Sequence, residues 1–507
     1  VTNRGIRLTG TVNKDWTLQN YGYPYFVTAA MTVNAGAIFT IADNNIINTT
    51  GAFAISVGTA TNSLGTVKAT KVTFNGITTG TTDQLAFKFG STGNTTNCIF
   101  NAYDITCSLS SPEIKNNTFD NAFISLTESS PTIQDNTFDN VAYPVLFIDE
   151  CSPVLTNLNM LNGVTNRGIR LTGTVNKDWT LQNYGYPYFL ANTLTVNTGA
   201  SFTIAKGDTI KFVGSYLLAA GTSTTSPGII NADSVIFQGI TNSLNDQLAF
   251  RYGSTGKITN CKFTAADLAA TNSNSKPEFT NNTFDNAFIY LNEASPIIRD
   301  NTFNNVAYPV EFVNECSPEI SNLIMNSVTY PGIKISGTVN SDWTLLNYGY
   351  PFYMPNSLTV NTGTTFTSAQ GNTIFFNNVN MPIGSSTSSV GNFNARRNSF
   401  KNLQTTDRII YYRYGSMGEL DSCTFTGIRV HIDASNPKIT RSKFHKSQNA
   451  IYTANNANPE ISNNIFYNNT LALKNAGTNT ITAKNNYWGH KSGPSHPNNP
   501  GGVGEYV

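Results

Sequence analysis

The chain has little charge, few cysteines and few histidines. Only 12% of its 507 residues are charged, the formal net charge is +1, and there are six cysteines and four histidines. No basic stripe is present, which argues against nucleic-acid binding. No apolar run is long enough to span a membrane as a helix. The histidines, all in the last third of the chain, lack the spacing of a zinc site.

Runs that favour a helix are also missing. Thr, Asn, Gly and Ser are abundant, and apolar residues alternate with polar ones in segments such as GIRLTGTV and AFAISVG. Alternation with a period of two is typical of β-strands, and this composition gives little support to helices. The sequence therefore predicts an all-β protein.

What the chain does contain is a long internal repeat. Residues 1–26 recur without change at 164–189, and a diverged copy occupies 328–353. Repeats of this length indicate tandem modules. We place the modules at 1–163, 164–327 and 328–507, the last with a C-terminal tail motif. No Pro/Ser linker separates them, so we expect one continuous rod.

A shorter repeat of 19 to 22 residues lies inside each module. Segments such as IKNNTF and IQDNTF end in an aromatic ring, and Pro-led segments such as SPEI and SPTI accompany them. About 20 residues per coil, with β-branched strands and Asn corners, predicts a parallel β-helix. The rings should stack inward from coil to coil. The amides should form ladders, with Asn117 beside Asn136 and Asn282 beside Asn301.

Five of the six cysteines replace small or polar residues of neighbouring coils, and Cys107 is left unassigned. Cys98, Cys261 and Cys423 stand at the Asn position of the short repeat, and Cys151 and Cys316 replace Ser or Ala. Cysteine in such positions packs as a small apolar residue. We expect neither a disulfide framework nor a zinc site.

Two stretches resemble a known group of proteins. The module heads, such as DWTLQNYGYPYFLANTLTVNTGASFTIAKGDTIKF, and the tail NNYWGHKSGPSHPNNPGGVGEYV resemble bacterial and archaeal secreted right-handed parallel β-helix repeat proteins of the cell-surface type. The resemblance implies this fold and a secreted or cell-surface location. It leaves function open, since the group includes lyases, hydrolases, epimerases, adhesins and stalks. Because the chain begins within a repeat, we expect it to be part of a longer protein.

Each module head carries an aromatic corner, a turn rich in Gly and Pro with a Trp just before it. Exposed aromatic rings stack on sugars through their apolar faces, and several copies along one molecule would give avidity. The alternative is that the rings pack over the Trp and close a gap where modules join. The candidate ligand-binding residues are Trp16, Tyr21, Tyr23, Tyr25, Trp179, Tyr184, Tyr186, Tyr188, Trp343, Tyr348 and Tyr350.

An acidic corner precedes each of the two later heads. Stacked carboxylates repel one another, so a Ca²⁺ ion would stabilise them, whereas at an exposed corner water and salt would screen them instead. The candidate calcium ligands are Glu128, Asp149, Glu150, Glu293 and Glu315. No other cofactor is expected.

A basic pair in the heads is a weaker candidate. Arg4 and Arg7 recur as Arg167 and Arg170, but the third module has Pro331 and Lys334. Lyases of this fold class use Arg or Lys as a base, whereas the simpler interpretation is solvated surface charge. No nucleophile elbow or phosphate-binding loop is present, and we assign no catalytic residue.

These observations favour a secreted structural or adhesive β-helix rod at the cell surface: a stalk, filament or adhesin segment. Its expected partners are a polysaccharide, a cell or solid surface, or further copies of itself in a filament. The alternative is a carbohydrate-active enzyme, a polysaccharide lyase or glycoside hydrolase, whose groove would lie in the divergent third module. Ice binding is disfavoured because TxT pairs do not recur in register.

Overall fold

The structure is a computed structural model that describes residues 4–34, 36–77, 82–240, 247–272, 274–361, 363–386 and 390–507. Its described residues form β-strands and turns but no helix, and so none that could cross a membrane. This confirms the prediction of an all-β parallel β-helix.

Each module contributes twenty of the described strands. In the first module they are β1 Ile6–Val12, β2 Trp16–Leu18, β3 Tyr25–Val33, β4 Ile38–Ile41, β5 Ile46–Thr49, β6 Ala54–Val57, β7 Thr66–Thr70, β8 Thr73–Asn75, β9 Gln84–Lys88, β10 Thr92–Thr96, β11 Ile99–Asn101, β12 Asp104–Ser108, β13 Glu113–Lys115, β14 Thr118–Asp120, β15 Ile124–Thr127, β16 Thr132–Gln134, β17 Thr137–Asp139, β18 Val145–Ile148, β19 Val154–Thr156 and β20 Asn159–Met160. In the second they are β21 Ile169–Val175, β22 Trp179–Leu181, β23 Tyr188–Val196, β24 Ser201–Ile204, β25 Thr209–Phe212, β26 Leu217–Ala220, β27 Ile229–Asp233, β28 Ile236–Gln238, β29 Gln247–Arg251, β30 Lys257–Thr259, β31 Lys262–Thr264, β32 Asp267–Thr271, β33 Glu278–Thr280, β34 Thr283–Asp285, β35 Ile289–Asn292, β36 Ile297–Arg299, β37 Thr302–Asn304, β38 Val310–Val313, β39 Glu319–Ser321 and β40 Ile324–Asn326. In the third they are β41 Ile333–Val339, β42 Trp343–Leu345, β43 Phe352–Met354, β44 Leu358–Val360, β45 Thr365–Ser368, β46 Thr373–Phe376, β47 Met381–Ile383, β48 Asn392–Arg396, β49 Ser399–Asn402, β50 Arg408–Tyr412, β51 Glu419–Asp421, β52 Thr424–Thr426, β53 Ile428–Asp433, β54 Lys438–Thr440, β55 Lys443–His445, β56 Asn449–Ala454, β57 Glu460–Ser462, β58 Ile465–Tyr467, β59 Leu471–Asn475 and β60 Ala483–Lys484.

A typical coil has three short strands, one on each of three faces. In the coil 113–127, β14 lies on the face that we call face 1, β15 on face 2 and β13 on face 3. Each of these strands pairs in parallel with its counterparts one coil before and one coil after. Alternate residues point inward, so the apolar residue of each strand enters the core.

The inward rings of face 1 stack as the short repeat predicts. Phe74, Phe100, Phe119 and Phe138 follow one another with ring centroids 4.8 to 4.9 Å apart. The third module has the same stack, which ends where Trp488 lies 4.9 Å from Phe466. Parallel stacking at this distance repeats the separation of adjacent strands and leaves little space in the core.

The two Asn residues of the short repeat have different tasks. Asn116 adopts a φ of 55°, a conformation that Asn tolerates better than most residues, and so turns the chain from face 3 to face 1. Asn117 is buried, and both its backbone N–H and its Nδ2 donate to Oδ1 of Asn136, at 3.0 and 3.1 Å. Asn282 and Asn301 make the same two bonds, so the predicted amide ladders are confirmed.

The six cysteines are free and buried, and burial agrees with the packing role predicted for Cys98, Cys151, Cys261, Cys316 and Cys423. Cys98 stands in the amide ladder, where its backbone N–H donates to Oδ1 of Asn117 at 2.9 Å. Burial raises the pKa of the Cys151 and Cys261 thiols to about 11, so both are neutral at physiological pH.

The chain divides into two compact units. One comprises residues 1–249 and 255–266, and the other comprises 250–254 and 267–507. The division falls inside the second module, at neither predicted module boundary. The first boundary lies within the first unit and the second within the other.

Strand pairing on face 2 runs through each module boundary, whereas face 3 is interrupted there. On face 2, β18 pairs with β21 across the first boundary and β38 pairs with β41 across the second. On face 3, the seven-stranded sheet of the first module ends at β19, and that of the third module begins at β42. The break in face 3 is where the aromatic corners lie.

Candidate functional site

The aromatic corner of the second module packs on the last coil of the first. Trp179 is 3% exposed, and its Nε1 donates to the carbonyl oxygen of Cys151 at 2.8 Å. The hydroxyl of Tyr184 donates to the carbonyl oxygen of Pro153 at 2.7 Å. Side-chain donors thus replace the strand pairing that face 3 loses at this boundary. Burial raises the pKa of Tyr184 to about 12.

Tyr186 completes this joint through its hydroxyl. It accepts the backbone N–H of Leu158 at 2.9 Å and donates to the carbonyl oxygen of the same residue at 3.3 Å. Tyr188 is fully buried and donates to the carbonyl oxygen of Gln182 in its own module at 2.6 Å, and its ring centre lies 6.1 Å from that of Phe147 in the first module. All four aromatic residues therefore contact the preceding module, three of them through hydrogen bonds and Tyr188 through its ring.

The third module repeats the joint on the end of the second. Trp343 is 3% exposed and donates to the carbonyl oxygen of Cys316 at 2.8 Å. The hydroxyl of Tyr350 accepts the N–H of Leu323 at 2.8 Å. The ring of Tyr348 packs edge-on against Phe312, but its buried hydroxyl has no hydrogen-bond partner among the described residues.

In the first module the same corner is open. Trp16 is 41% exposed, Tyr21 65% and Tyr23 63%, whereas Tyr25 is buried and donates to the carbonyl oxygen of Gln19 at 2.7 Å. A cavity of about 200 Å³ lies against Trp16 and Tyr21.

The structure therefore corrects part of the predicted aromatic platform. Trp179 and Trp343 cannot offer a face to a sugar, because the preceding coil covers their rings. The alternative interpretation, in which the corner closes a gap between modules, describes both joints. Trp16, Tyr21 and Tyr23 are accessible, and ligand binding there stays a prediction.

The acidic corners belong to the same joints. Oε1 of Glu150 accepts the N–H groups of Asn176 and Lys177 at 2.5 and 2.9 Å. Asp149 accepts the N–H of Thr174 at 2.7 Å, and Glu128 forms an ion pair of 3.0 Å with the side chain of Lys177. These carboxylates hold the first turn of the following module.

The second acidic corner has nearly the same bonds. Glu315 accepts the N–H groups of Asn340 and Ser341, and Glu293 accepts Nδ2 of Asn314 at 3.3 Å. Over the described ranges, no three Asp, Glu, His or Cys side chains are grouped to hold a metal ion. Backbone donors take the place expected for calcium, and the calcium site stays a prediction.

The basic pairs are dispersed. Arg7 donates to Oγ1 of Thr28 at 2.7 Å, Arg167 donates to the carbonyl oxygen of Leu161 at 3.2 Å, and the guanidinium of Arg170 lies 5.6 Å from the ring centre of Tyr143. No acidic partner faces them across a cleft in these contacts.

Sequence analysis missed a polar column on face 2 of the third module. Tyr411 stacks on His431 at 4.3 Å, His431 contacts Tyr452 edge-on at 4.6 Å, and Arg413 lies 4.8 Å from the centre of the Tyr411 ring. The signal was available, since the outward residue of each strand is aromatic in three successive coils.

Known proteins assign this chain to no family. No protein-family model matches the chain. No curated protein matches it. A solved structure of a mutant of AlyGC, an alginate lyase of family PL6, is similar over 96% of this chain and 97% of its own, with 8% identity and a TM-score of 0.24. A likeness at this level carries no argument about this chain.

Proposed function

We propose that this chain is a structural or adhesive β-helix segment of a secreted or cell-surface protein, in which the number of modules sets the reach. The observation that carries the proposal is the repeated joint. The second and third heads clamp the preceding coil through the same Trp-to-carbonyl bond, 2.8 Å long in both. A joint that recurs in register lets modules be added without a new interface.

The pairing on face 2 supports the same function. Val145 pairs with Ile169 at the first boundary and Val310 with Ile333 at the second, at equivalent positions in the two modules. Strand pairing that continues through a boundary resists bending there. A stiff segment that can be extended by whole modules suits a stalk or filament. An enzyme with a single active site would gain nothing from repeated modules.

Surface binding is proposed at the aromatic corner of the first module. Trp16, Tyr21 and Tyr23 expose large aromatic areas beside a concavity. Such rings stack on the apolar faces of sugars, so a polysaccharide or a cell surface is the proposed partner.

Removal of one module tests the structural role. A variant without residues 164–327 joins Gly163 to Val328 and keeps the register. We expect it to fold and to be shorter by about 35 Å, the height of roughly seven coils, as measured by small-angle scattering and negative-stain microscopy. A variant without residues 164–317 breaks the register and serves as the control, which we expect to aggregate. Equal behaviour of the two variants would contradict the proposal.

A second assay separates a structural segment from an enzyme. The intact chain is incubated with neutral and acidic polysaccharides, and new reducing ends and unsaturated products are measured. We expect neither to form. Turnover that persists in the variant without residues 164–327 would show that an enzyme resides in the other modules.

A further inference from the structure

Face 3 of the third module has a charged groove that no sequence motif marks. Its volume is about 340 Å³, and it is lined by residues of β45, β48 and β51 and by Arg441, which follows β54. Because these strands belong to successive coils, the groove crosses the coils instead of following one of them.

A buried carboxylate organises the groove. Asp421 is 3% exposed, and its two oxygens bind two arginines, with Nη2 of Arg441 at 2.6 Å and Nε of Arg396 at 3.3 Å. Thr440 and Ser422 donate to the same carboxylate at 3.1 and 3.2 Å. Burial alone raises the pKa of Asp421, but these hydrogen bonds and the Arg441 charge outweigh it, so the pKa lies below its usual value. The carboxylate is ionised and fixes both guanidinium groups.

The three charged residues occur together only in this module. The strand register places Thr70, Thr96 and Asn116 at their positions in the first module. In the second module the positions belong to Asp233, Thr259 and Asn281. An ordinary surface ion pair joins two side chains. Here one carboxylate binds two guanidinium groups that lie on neighbouring coils.

The two arginines and the one buried acid leave the cluster with a net positive charge, while Glu419, which also lines the groove, lies 4.0 Å from Lys438. The Arg396 and Arg441 side chains are 65% and 57% exposed, although Nε of Arg396 and Nη2 of Arg441 are bound to Asp421. A guanidinium has five N–H donors, so each arginine keeps donors directed away from the acid. Such planar donors match the oxygens of a carboxylate or sulfate group.

The surface continues beyond this groove along face 3. Lys438, on β54, lies 4.0 Å from Glu419 and 3.8 Å from Glu460. A second concavity of about 360 Å³ follows beside Glu460 and Lys484. A ligand that follows both concavities would be extended, with its charges repeated along its length.

We propose that the Arg396–Asp421–Arg441 groove binds the carboxylate or sulfate groups of an acidic polysaccharide. This site lies away from the module joints, and the proposal does not depend on the structural role of those joints. If the groove does not bind acidic polysaccharides, the proposed structural role of the joints is unaffected, and the reverse also holds.

The test measures binding of the intact chain to polygalacturonate, to a sulfated glycan and to neutral dextran, by biolayer interferometry at several salt concentrations. The double variant Arg396→Gln, Arg441→Gln should lose at least tenfold in affinity for the acidic polymers. Because it leaves Asp421 buried without a counter-ion, a triple variant that adds Asp421→Asn keeps the fold testable. We expect the same loss in the triple variant, with a melting temperature near that of the parent.

The matched control is Arg299→Gln. Arg299 lies on face 3 of the second module in an exposed ion pair of 2.5 Å with Glu319, so its loss should change affinity less than twofold. Binding of polygalacturonate alone identifies a carboxylate site, binding of the sulfated glycan alone a sulfate site, and binding of both a general anion site. The proposal is overturned if neither acidic polymer binds, if dextran binds equally well, or if the triple variant binds like the parent.

Discussion

The heads of the first and second modules have the same amino-acid sequence in two environments. Trp16 is 41% exposed and Trp179 only 3%. Yet Tyr25 and Tyr188, which bond inside their own heads, are both buried and donate to equivalent carbonyl oxygens at 2.7 and 2.6 Å. Contacts within a head thus follow from its own sequence, whereas contacts at a joint require a coil before it. The variants below test this difference, from the largest expected effect to the smallest.

Truncation of the joint tryptophan should have the largest effect. Trp179→Ala removes a buried ring and its bond to Cys151, and we expect the free energy of unfolding to fall by about 3–5 kcal/mol. Trp16→Ala, the same change in the same sequence, should lower it by about 1 kcal/mol or less. Urea unfolding followed by circular dichroism measures both. Equal losses would mean that the joint does not stabilise the protein.

The opposite comparison is a position whose surroundings are the same in all three modules but whose residue is Asn in two of them and Asp in the other. Asn45 in the first module and Asn372 in the third each donate Nδ2 to a buried carbonyl oxygen at 3.0 Å. The second module has Asp208 there, 2% exposed, and its carboxylate oxygens have no hydrogen-bond partner within the described ranges.

Burial raises the pKa of Asp208 from 3.8 to about 7. The stability that the protonated Asp208 side chain contributes is therefore fully present below pH 3.8 and is lost as the pH rises through about 7. Asp208→Asn should stabilise the protein by about 1–3 kcal/mol at pH 8 and by much less at pH 3.5. Thermal melting at the two pH values measures this. A gain that does not depend on pH would contradict the assignment.

The acidic corner should have a smaller effect. Glu150→Ala removes the acceptor of two backbone N–H groups, and we expect a loss of about 1–1.5 kcal/mol. Glu128→Ala removes only an exposed ion pair and should lower stability by less than about 1 kcal/mol. Melting with calcium and with a chelator is the further control. If calcium raises the melting temperature of the parent but of neither variant, the result would support a calcium site instead of the binding of backbone N–H groups by Glu150.

Single hydroxyl groups should have the smallest effect. Tyr184→Phe removes the bond to the Pro153 carbonyl oxygen and should lower stability by about 0.5–1 kcal/mol. Tyr348→Phe, at the equivalent position of the third module, removes a hydroxyl without a described partner and should be neutral or slightly stabilising. The difference between the two melting temperatures is the measurement. The reverse order would show that the two joints are not equivalent.

The sequence was sufficient for features that repeat every coil. Phe119 and Phe138, or Asn117 and Asn136, are one coil apart, so a regular pattern predicts their contact. The burial of Trp179 could not be predicted in this way, because its hydrogen-bond partner Cys151 lies in a different motif of another module. The groove escaped notice for a related reason. Arg396, Asp421 and Arg441 come from separate coils, and each alone resembles an ordinary solvated charge.

The pairing of Val145 with Ile169 repeats at Val310 and Ile333. Because the boundary contacts are the same, a gain or loss of one module preserves them. Genes that encode identical stretches, as at 1–26 and 164–189, are prone to unequal exchange. Exchange at these stretches inserts or removes a whole module and keeps every ring stack, amide ladder and tryptophan joint aligned. A population could therefore carry alleles of several lengths, each folded by the same contacts.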